Sequence, residues 1–510
     1  MTNRAPGASL WNDDAELPQL DELDNDVTCD VCVVGAGIAG MSVAYHLARE
    51  GRKVVVLERE GIGSGDTGAT TAHLSSAMDD SFLALERFHG EEGSRAAYES
   101  HRAAIERIGE IVERERIDCD FRRLDGYLVL AEAHRDQPEM LDEELAGARR
   151  AGFEGIERLD STPYERFATR PCLRFPGQGR FHPLRYLAGL AKAIEASGGR
   201  LLRADAKEVD GGTSPRVATT GGRRVSAAAV VVATNVPFTD LVAIHTKQAP
   251  YLTYAIAARL DGPIPDALWW DTEDPYHYVR FQEARGEGGA GWVIVGGEDH
   301  HSGHEPASEG ERWQRLEEWA RGYFPVASVT HRWSGQVMEP VDGLAFLGKD
   351  PGSDDNVYVA TGDSGQGITH GAIAGMLIAD LVLGRDNPWT RLYDPTRRSL
   401  RAGGEFVRNS LVVARHYAEW LTGVPGPAGE VGDIAPGSGA VVRRGARLLA
   451  VYRDEAGTLH ERSAVCTHLG CIVHWNDSAR SWDCPCHGSR FGPTGEVTHG
   501  PANRPLGAAD

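Results

Sequence analysis

Basic residues are in short supply: 53 Lys and Arg stand against 74 Asp and Glu, for a formal net charge of −21. A field of that sign repels phosphate backbones and anionic membrane surfaces, so nucleic acid is excluded as an expected partner. Long apolar runs are missing too. The longest, 372–383, is broken by Gly375 and Asp380, falls well short of the ~20 residues of a membrane span, and reads as a buried helix. Residues 1–26 are polar and acidic and lack the charged, apolar and small-residue regions of an export signal; a cytoplasmic chain without a transmembrane anchor is expected. Cysteine is scarce: eight in 510 residues exclude a disulfide scaffold, yet four crowd between Cys466 and Cys486. In a cytosolic chain that crowding points first to a metal site.

The length implies two or more domains. Residues 29–34 are apolar enough for a buried strand, 38–50 have helical spacing and 53–57 form a second strand, which together make a βαβ opening. Helices are predicted over 82–116, 184–197, 309–323, 368–383 and 397–421, and strands over 126–131 and 357–360. The apolar run 225–233 reads as one inner strand. Between 251 and 337, segments rich in Tyr, Trp and Val suggest an antiparallel sheet facing substrate. The expected organisation is an acidic N-terminal extension (1–27), an oxidoreductase domain (28–422) whose substrate subdomain falls mainly within 120–175 and 250–340, a Gly/Pro linker (423–432) and a last domain (433–510).

Gly35-Ala36-Gly37-Ile38-Ala39-Gly40 follows the first strand directly and opens the first helix. In such a motif the glycines permit a tight turn, a close backbone approach to a pyrophosphate and helix packing, while the helix N-terminus favours negative charge. Glu58 ends the second strand 18 residues after Gly40, placed to accept from an adenosine ribose, with Arg59 beside it. A second small-residue loop, 61–76, offers Ser64, Gly65, Thr70 and Thr71 to the same cofactor. A third, 362–369, contributes Gly362, Asp363, Gly365, Gly367 and Thr369 ahead of a helix whose positive end would stabilise charge on a reduced flavin.

On these motifs residues 28–420 resemble the D-amino-acid oxidase, glycine oxidase and sarcosine oxidase superfamily. The resemblance implies an α/β FAD-binding domain, Rossmann-like and of glutathione-reductase type, with an antiparallel substrate subdomain. It also implies FAD, held non-covalently or through one covalent link, and oxidation of amines at a C–N bond. Only one Gly-x-Gly-x-x-Gly is present, and 293–297 does not complete a second; oxidation of a small substrate is favoured over oxidation of NAD(P)H.

Cys466-Thr467-His468-Leu469-Gly470-Cys471 and Cys484-Pro485-Cys486-His487-Gly488-Ser489 each pair a thiolate with an imidazole. Two cysteines on one iron and two histidines on the other make a Rieske [2Fe-2S] centre, so Cys466, His468, Cys484 and His487 are the expected ligands. A Cys2His2 zinc site is the competing reading, disfavoured by the spacing. Residues 428–510 resemble the Rieske proteins of cytochrome bc complexes, a small all-β fold. That resemblance implies a Cys471–Cys486 disulfide bracing the two loops and a Ser489 hydrogen bond to a cluster sulfur. Phe491 replaces the family's tyrosine, which implies a lower potential. Nothing here supplies the two-His, one-carboxylate iron site that ring hydroxylation would need.

The catalytic residues are not fixed by pattern; the candidates are His73, Tyr278, Arg280 and Trp333. His73 is placed to touch the flavin or carry a covalent link, with satisfied packing as the alternative. Trp269, Trp270, Tyr276, Tyr278 and Trp292 are candidates for a cation-π amine cage, with core packing as the alternative. Arg280 and Arg332 are candidates for gripping a carboxylate, with ion pairing as the alternative. Residues 299–305 read as a solvated loop rather than a metal site, and Cys29, Cys32, Cys119 and Cys172 as buried thiols. The expected reaction is FAD-dependent oxidation of a small amine or amino-acid-like substrate, with electrons passed to the Rieske cluster and on to a one-electron acceptor protein or quinone. The alternative is an accessory flavin/Rieske relay serving a partner oxygenase.

Overall fold

The computed structural model describes residues 7–164, 166, 170–239, 244–285, 291–302, 309–397, 431–477 and 479–509. All but the first residue of the predicted helix over 397–421, and most of the linker 423–432, lie outside them.

Val31–Val34 is buried at every position, so both of its faces must be covered, as in the middle of a parallel sheet. It is covered: the seven-stranded sheet runs Asp21–Glu22, Arg200–Arg203, Val54–Glu58, Val31–Val34, Ala229–Val232, Val357–Thr361, Phe346–Lys349. All neighbours are parallel except the last pair. Helices Ile38–Arg49 and Gly367–Val382 pack together against it. Because strands end and helices begin on one edge of this layer, that edge is where a ligand would meet helix N-termini.

The single strand expected over 225–233 is corrected: the run divides. Arg224–Ser226 joins a separate four-stranded sheet, while Ala229–Val232 enters the central one. Ala228 and Ala229 both donate their N–H to the Asp30 carbonyl, at 3.0 and 3.1 Å. Two successive amides aimed at one acceptor cannot keep the strand's alternation, so the chain changes sheet there.

A nine-stranded sheet carries Gln248–Leu260, Leu268–Asp271, Tyr278–Gln282, Trp292–His301 and Val326–Pro340 together with Arg122–Val129 and Cys172–Arg180. It is antiparallel except where Leu268–Asp271 runs parallel to Arg122–Val129, a pairing of strands distant in sequence that no hairpin constrains. Helix Glu309–Tyr323 covers one face, burying Trp313, Leu316 and Ala320 against Tyr254, Ile256 and Val293. Residues 8–23 are no loose extension: Trp11 is fully buried, donates Nε1–H to the Thr70 carbonyl at 2.6 Å, and Ser9 Oγ reaches the Gly68 carbonyl at 2.6 Å. The last module is all-β, with strands Gly439–Arg444, Arg447–Arg453 and Leu459–Ser463 in one sheet and His474–Asn476, Ser481–Asp483, Arg490–Phe491 and Val497–His499 in another. Leu448, Tyr452, Trp482 and Phe491 form its core. No described helix is long and apolar enough to cross a membrane.

Candidate cofactor cavity and metal centre

The turn after Val34 has to be glycine. Gly35 sits at φ +105°, and a Cβ on it would stand 2.3 Å from the Ala233 carbonyl oxygen. The turn is held from two further sides: Ala36 N–H donates to Glu58 Oε2 at 2.8 Å and Ile38 N–H to Thr67 Oγ1 at 3.0 Å. Gly35→Ala is expected to give a chain isolated with little or no bound flavin, checked by the absorbance ratio of the purified protein.

A cavity of about 480 Å³ opens on this turn. The predicted contact residues Gly35, Gly37, Ile38, Ala39, Glu58, Arg59, Ser64, Gly65, Thr70, Thr71, Gly362, Asp363, Gly365, Gly367 and Thr369 all line it. Gly40 does not; it packs the helix onto the turn. The lining suits FAD: two helix starts, whose positive ends favour phosphates, and a carboxylate at the ribose position. Sequence reasoning missed Asp66, Thr67, Asn235 and Gln336. Asp66 accepts from Asn235 Nδ2 at 2.6 Å and from Gln336 N–H at 2.8 Å, so one carboxylate ties the second loop to both sheets. A Gly-x-Gly-Ser-Gly-Asp-Thr run advertised flexibility, not those partners.

The far end of the cavity is acidic and aromatic. Asp79, Asp299, Trp270, Tyr276 and Tyr278 line it. Tyr276 Oη donates to Asp79 Oδ1 at 2.9 Å, and Tyr278 Oη is 2.6 Å from Thr253 Oγ1. Asp79 is exposed to the open cavity; loss of solvent around its carboxyl, then the neighbouring Asp80, pushes it up to about 8 against the pull of the Tyr276 hydrogen bond. Burial likewise raises Asp299 to about 6 and Asp363 to about 7. Asp299 corrects the expectation of a solvated loop: Trp292–His301 is one strand, and its end delivers Asp299 to the cavity and stacks His300 on Tyr254. The rest of that stretch, 303–305, lies outside the described residues. The same strand holds 293–297 in mid-sheet, with no dinucleotide turn.

The four catalytic candidates separate. His73, Tyr278 and Trp333 line the cavity; Arg280 does not. Arg280 is fully buried and spends its guanidinium on the carbonyls of Ala72 (2.8 Å) and Phe181 (3.0 Å) and on Gln282 Oε1 (2.5 Å). Arg332 pairs with Glu317 at 2.7 Å. Neither lines the cavity. His73 Nε2 lies 3.2 Å from the Val279 carbonyl and Nδ1 3.0 Å from Thr71 Oγ1, and burial followed by the Arg280 charge pushes its imidazole down to about 3. It is a neutral ring. Trp333 donates to the Ala69 carbonyl at 2.7 Å. Of the five proposed cage aromatics, Trp269 is core and Trp292 stacks under Arg259 at 3.6 Å.

In the last module the two Cys/His loops converge. The His468 and His487 rings are 5.1 Å apart at 88°, and Cys466 and Cys484 approach within hydrogen-bonding reach of each other. Both ring nitrogens of His468 are buried without a hydrogen-bond partner, which fits a metal ligand and is costly otherwise. Cys471 and Cys486 are joined in a disulfide. Ser489 is fully buried, donates to Cys466 Sγ and accepts from Ala502 N–H at 3.0 Å. Ser489→Ala removes the sulfur's donor and is expected to lower the cluster potential, read by a redox titration followed by circular dichroism. Phe491 is buried and offers no replacement. Cys29, Cys119 and Cys172 are buried thiols with pKa values raised to about 12, and Cys32 is raised well above its ordinary value.

The metal centre and the cavity are one side chain apart. Gln336 lines the cavity and donates Nε2–H to the carbonyl of Gly488, next to His487, at 2.9 Å. Gly488 lies at φ +80°, and a Cβ there would be 2.8 Å from both Gln336 Nε2 and Pro250 Cβ; only glycine allows that approach. The His245 ring stands 4.9 Å from His468 and 5.8 Å from His487, so the histidine edge of the centre faces the oxidoreductase module.

Comparison with known proteins agrees. The family model described as FAD dependent oxidoreductase matches residues 30–381, and that described as Rieske [2Fe-2S] domain matches 425–509. A Bacillus subtilis (strain 168) protein, YhfW, named for a Rieske 2Fe-2S iron-sulfur centre, is 32% identical over 98% of this chain and 97% of its own length. Gamma-glutamylputrescine oxidoreductase of Escherichia coli (strain K12) is 30% identical over 72% of this chain and 86% of its own. The crystal structure of glycine oxidase from Geobacillus kaustophilus superposes with a TM-score of 0.60 at 21% identity, covering 73% of this chain and 99% of that one. The chain therefore belongs to the FAD dependent oxidoreductase family and carries a Rieske [2Fe-2S] domain behind it, an enzyme whose cofactors are FAD and a [2Fe-2S] cluster.

Proposed function

We propose that the enzyme dehydrogenates a small cationic amine without a carboxylate and passes the electrons through its own cluster to an external one-electron acceptor. The observation that carries this reading is a single cavity with an acidic pocket at one end and, through Gln336, the His487 loop in its wall. Among the described residues Arg59 is the only Lys or Arg lining the cavity, and it stands at the Glu58 end. Arg312, whose charge acts on Asp299, does not itself line the cavity, so among the described residues a substrate carboxylate would meet no lining Lys or Arg beside Asp79 and Asp299, whereas an ammonium group would find two acids and three aromatic faces. The name of the Escherichia coli relative specifies an amine, which supports the amine part of this reading and not the lack of a carboxylate.

Asp79, with a carboxyl pushed up to about 8, is suited to take the ammonium proton and so free the nitrogen lone pair. Tyr276 holds that carboxylate in place. Trp270 and Tyr278 wall the pocket against water. FAD, when bound, accepts an electron pair with the departing hydride, and a Rieske cluster handles electrons singly.

The test is anaerobic mixing of the holoenzyme with simple mono- and diamines and, in parallel, with amino acids. Bleaching of the flavin by amines and not by amino acids is expected. Bleaching by amino acids alone would overturn the amine reading, and no bleaching by any small molecule would favour the accessory relay.

A further inference from the structure

The FAD cavity is not built by the oxidoreductase module alone. Thr498, His499, Gly500, Ala502 and Asn503, all from the Rieske module, line it. The segment is tied down at both ends: Arg59, beside the ribose-accepting Glu58, donates to the Thr498 carbonyl, and Asn503 Nδ2 donates to the Lys207 carbonyl at 3.0 Å. In between, a Cβ on Gly500 would lie 3.3 Å from the Val236 carbonyl oxygen. His499 closes the strand Val497–His499, and its Nδ1 is buried without a hydrogen-bond partner. With Nδ1 sealed off in this way, the ring meets the cavity through its other nitrogen, Nε2, which is not so enclosed.

We propose that His499 is a cofactor-binding residue, lent by the Rieske module to the ribose-diphosphate half of FAD, so that the cofactor fastens the two modules together. The cavity neighbours of its segment, Glu58, Arg59 and Asp205, are those of the nucleotide end rather than of the substrate end. The oxygens of a diphosphate and a ribose match an imidazole N–H, and a neutral imidazole adds no charge clash with Arg59 or Arg490. His499 also pairs in register with Arg490, three residues after the cluster ligand His487. Contact with FAD is thereby continuous, through one strand pair, with the loop that holds the cluster. Whatever FAD gains from the docked module, the docked module gains from FAD, since coupling between two binding events is reciprocal.

The inference stands apart from the amine reading and survives a different substrate. It is tested on the full chain, deflavinated with its cluster intact, by titrating FAD and following the quenching of its fluorescence. His499→Ala is expected to raise the dissociation constant about tenfold or more, the scale of one lost hydrogen bond in a buried site. His499→Gln, which keeps a donor, is expected to recover part of that loss, with the cluster's electron paramagnetic resonance signal unchanged in both. Parent-like affinity in His499→Ala with an intact cluster signal would overturn the proposal. Hydrogen exchange on the parent chain decides the matter independently of any variant: FAD is expected to slow exchange of the amides of 497–503, and equal exchange with and without FAD would refute it.

Discussion

Replacing Cys484 with serine is expected to abolish the iron-sulfur absorbance and to cut reduction of a one-electron acceptor by on the order of 100-fold or more, because a cysteine ligand of the cluster is gone. Amine-driven bleaching of the flavin should survive when FAD is supplied at saturation. The split is what the proposed relay requires: the acid-lined pocket and the cluster loop touch the same cavity wall but would perform separate steps. Acceptor reduction at the parent rate in iron-free Cys484→Ser protein would mean that electrons leave from the flavin directly. Iron and sulfide analysis of the same sample guards against residual cluster.

The second large effect is expected at Asp79. Its carboxyl is pushed up to about 8, so in the free enzyme it is largely neutral below that pH and charged above it. A bound cation favours the charged form, so cation binding must release a proton wherever Asp79 is still protonated. Affinity for a quaternary ammonium inhibitor, whose own charge does not titrate, is therefore expected to rise with pH and level off above about 8. In Asp79→Asn that uppermost step should vanish and leave the lower ones from Asp363, near 7, and Asp299, near 6. The loss of one charge-assisted contact should also lower kcat/KM for the amine on the order of 10- to 100-fold at pH 8.5 or above. An Asp79→Asn pH profile identical to the parent's would remove Asp79 from the pocket's chemistry. The other groups facing it, Asp80, Tyr276, Asp299 and Asp363, remain in the variant and serve as internal controls.

Much of the cofactor site was legible because local chemistry dictates it. The turn at Gly35 and the carboxylate at Glu58 sit at spacings fixed by one strand-turn-helix unit. The Rieske loops likewise announce themselves through paired Cys and His residues. Helix Glu309–Tyr323 forms over the residues its spacing predicts, and Phe82–Glu115 nearly so. What stayed hidden was decided between distant segments. Asp299 and His300 look like the start of a polar loop, but they extend a strand whose last residue, His301, still pairs with Tyr251. Trp269 and Trp270 are adjacent in sequence, and strand alternation sends one into the core and the other to the cavity. Arg280 has the chemistry of a carboxylate clamp, yet its carbonyl partners lie about 100 and 200 residues away. The contribution of 498–503 to the FAD cavity depends on how two modules meet, which no local pattern encodes.

Electrons are expected to pass from flavin to cluster within one chain, across the Gln336–Gly488 contact. The most direct measurement is anaerobic stopped-flow mixing with a reducing amine at low and high protein concentration, following the flavin and cluster bands together. The flavin band is expected to bleach first and the cluster band to follow with a rate constant independent of protein concentration. Cluster reduction that scales with protein concentration, or a cluster that stays oxidised beside a fully bleached flavin, would contradict it.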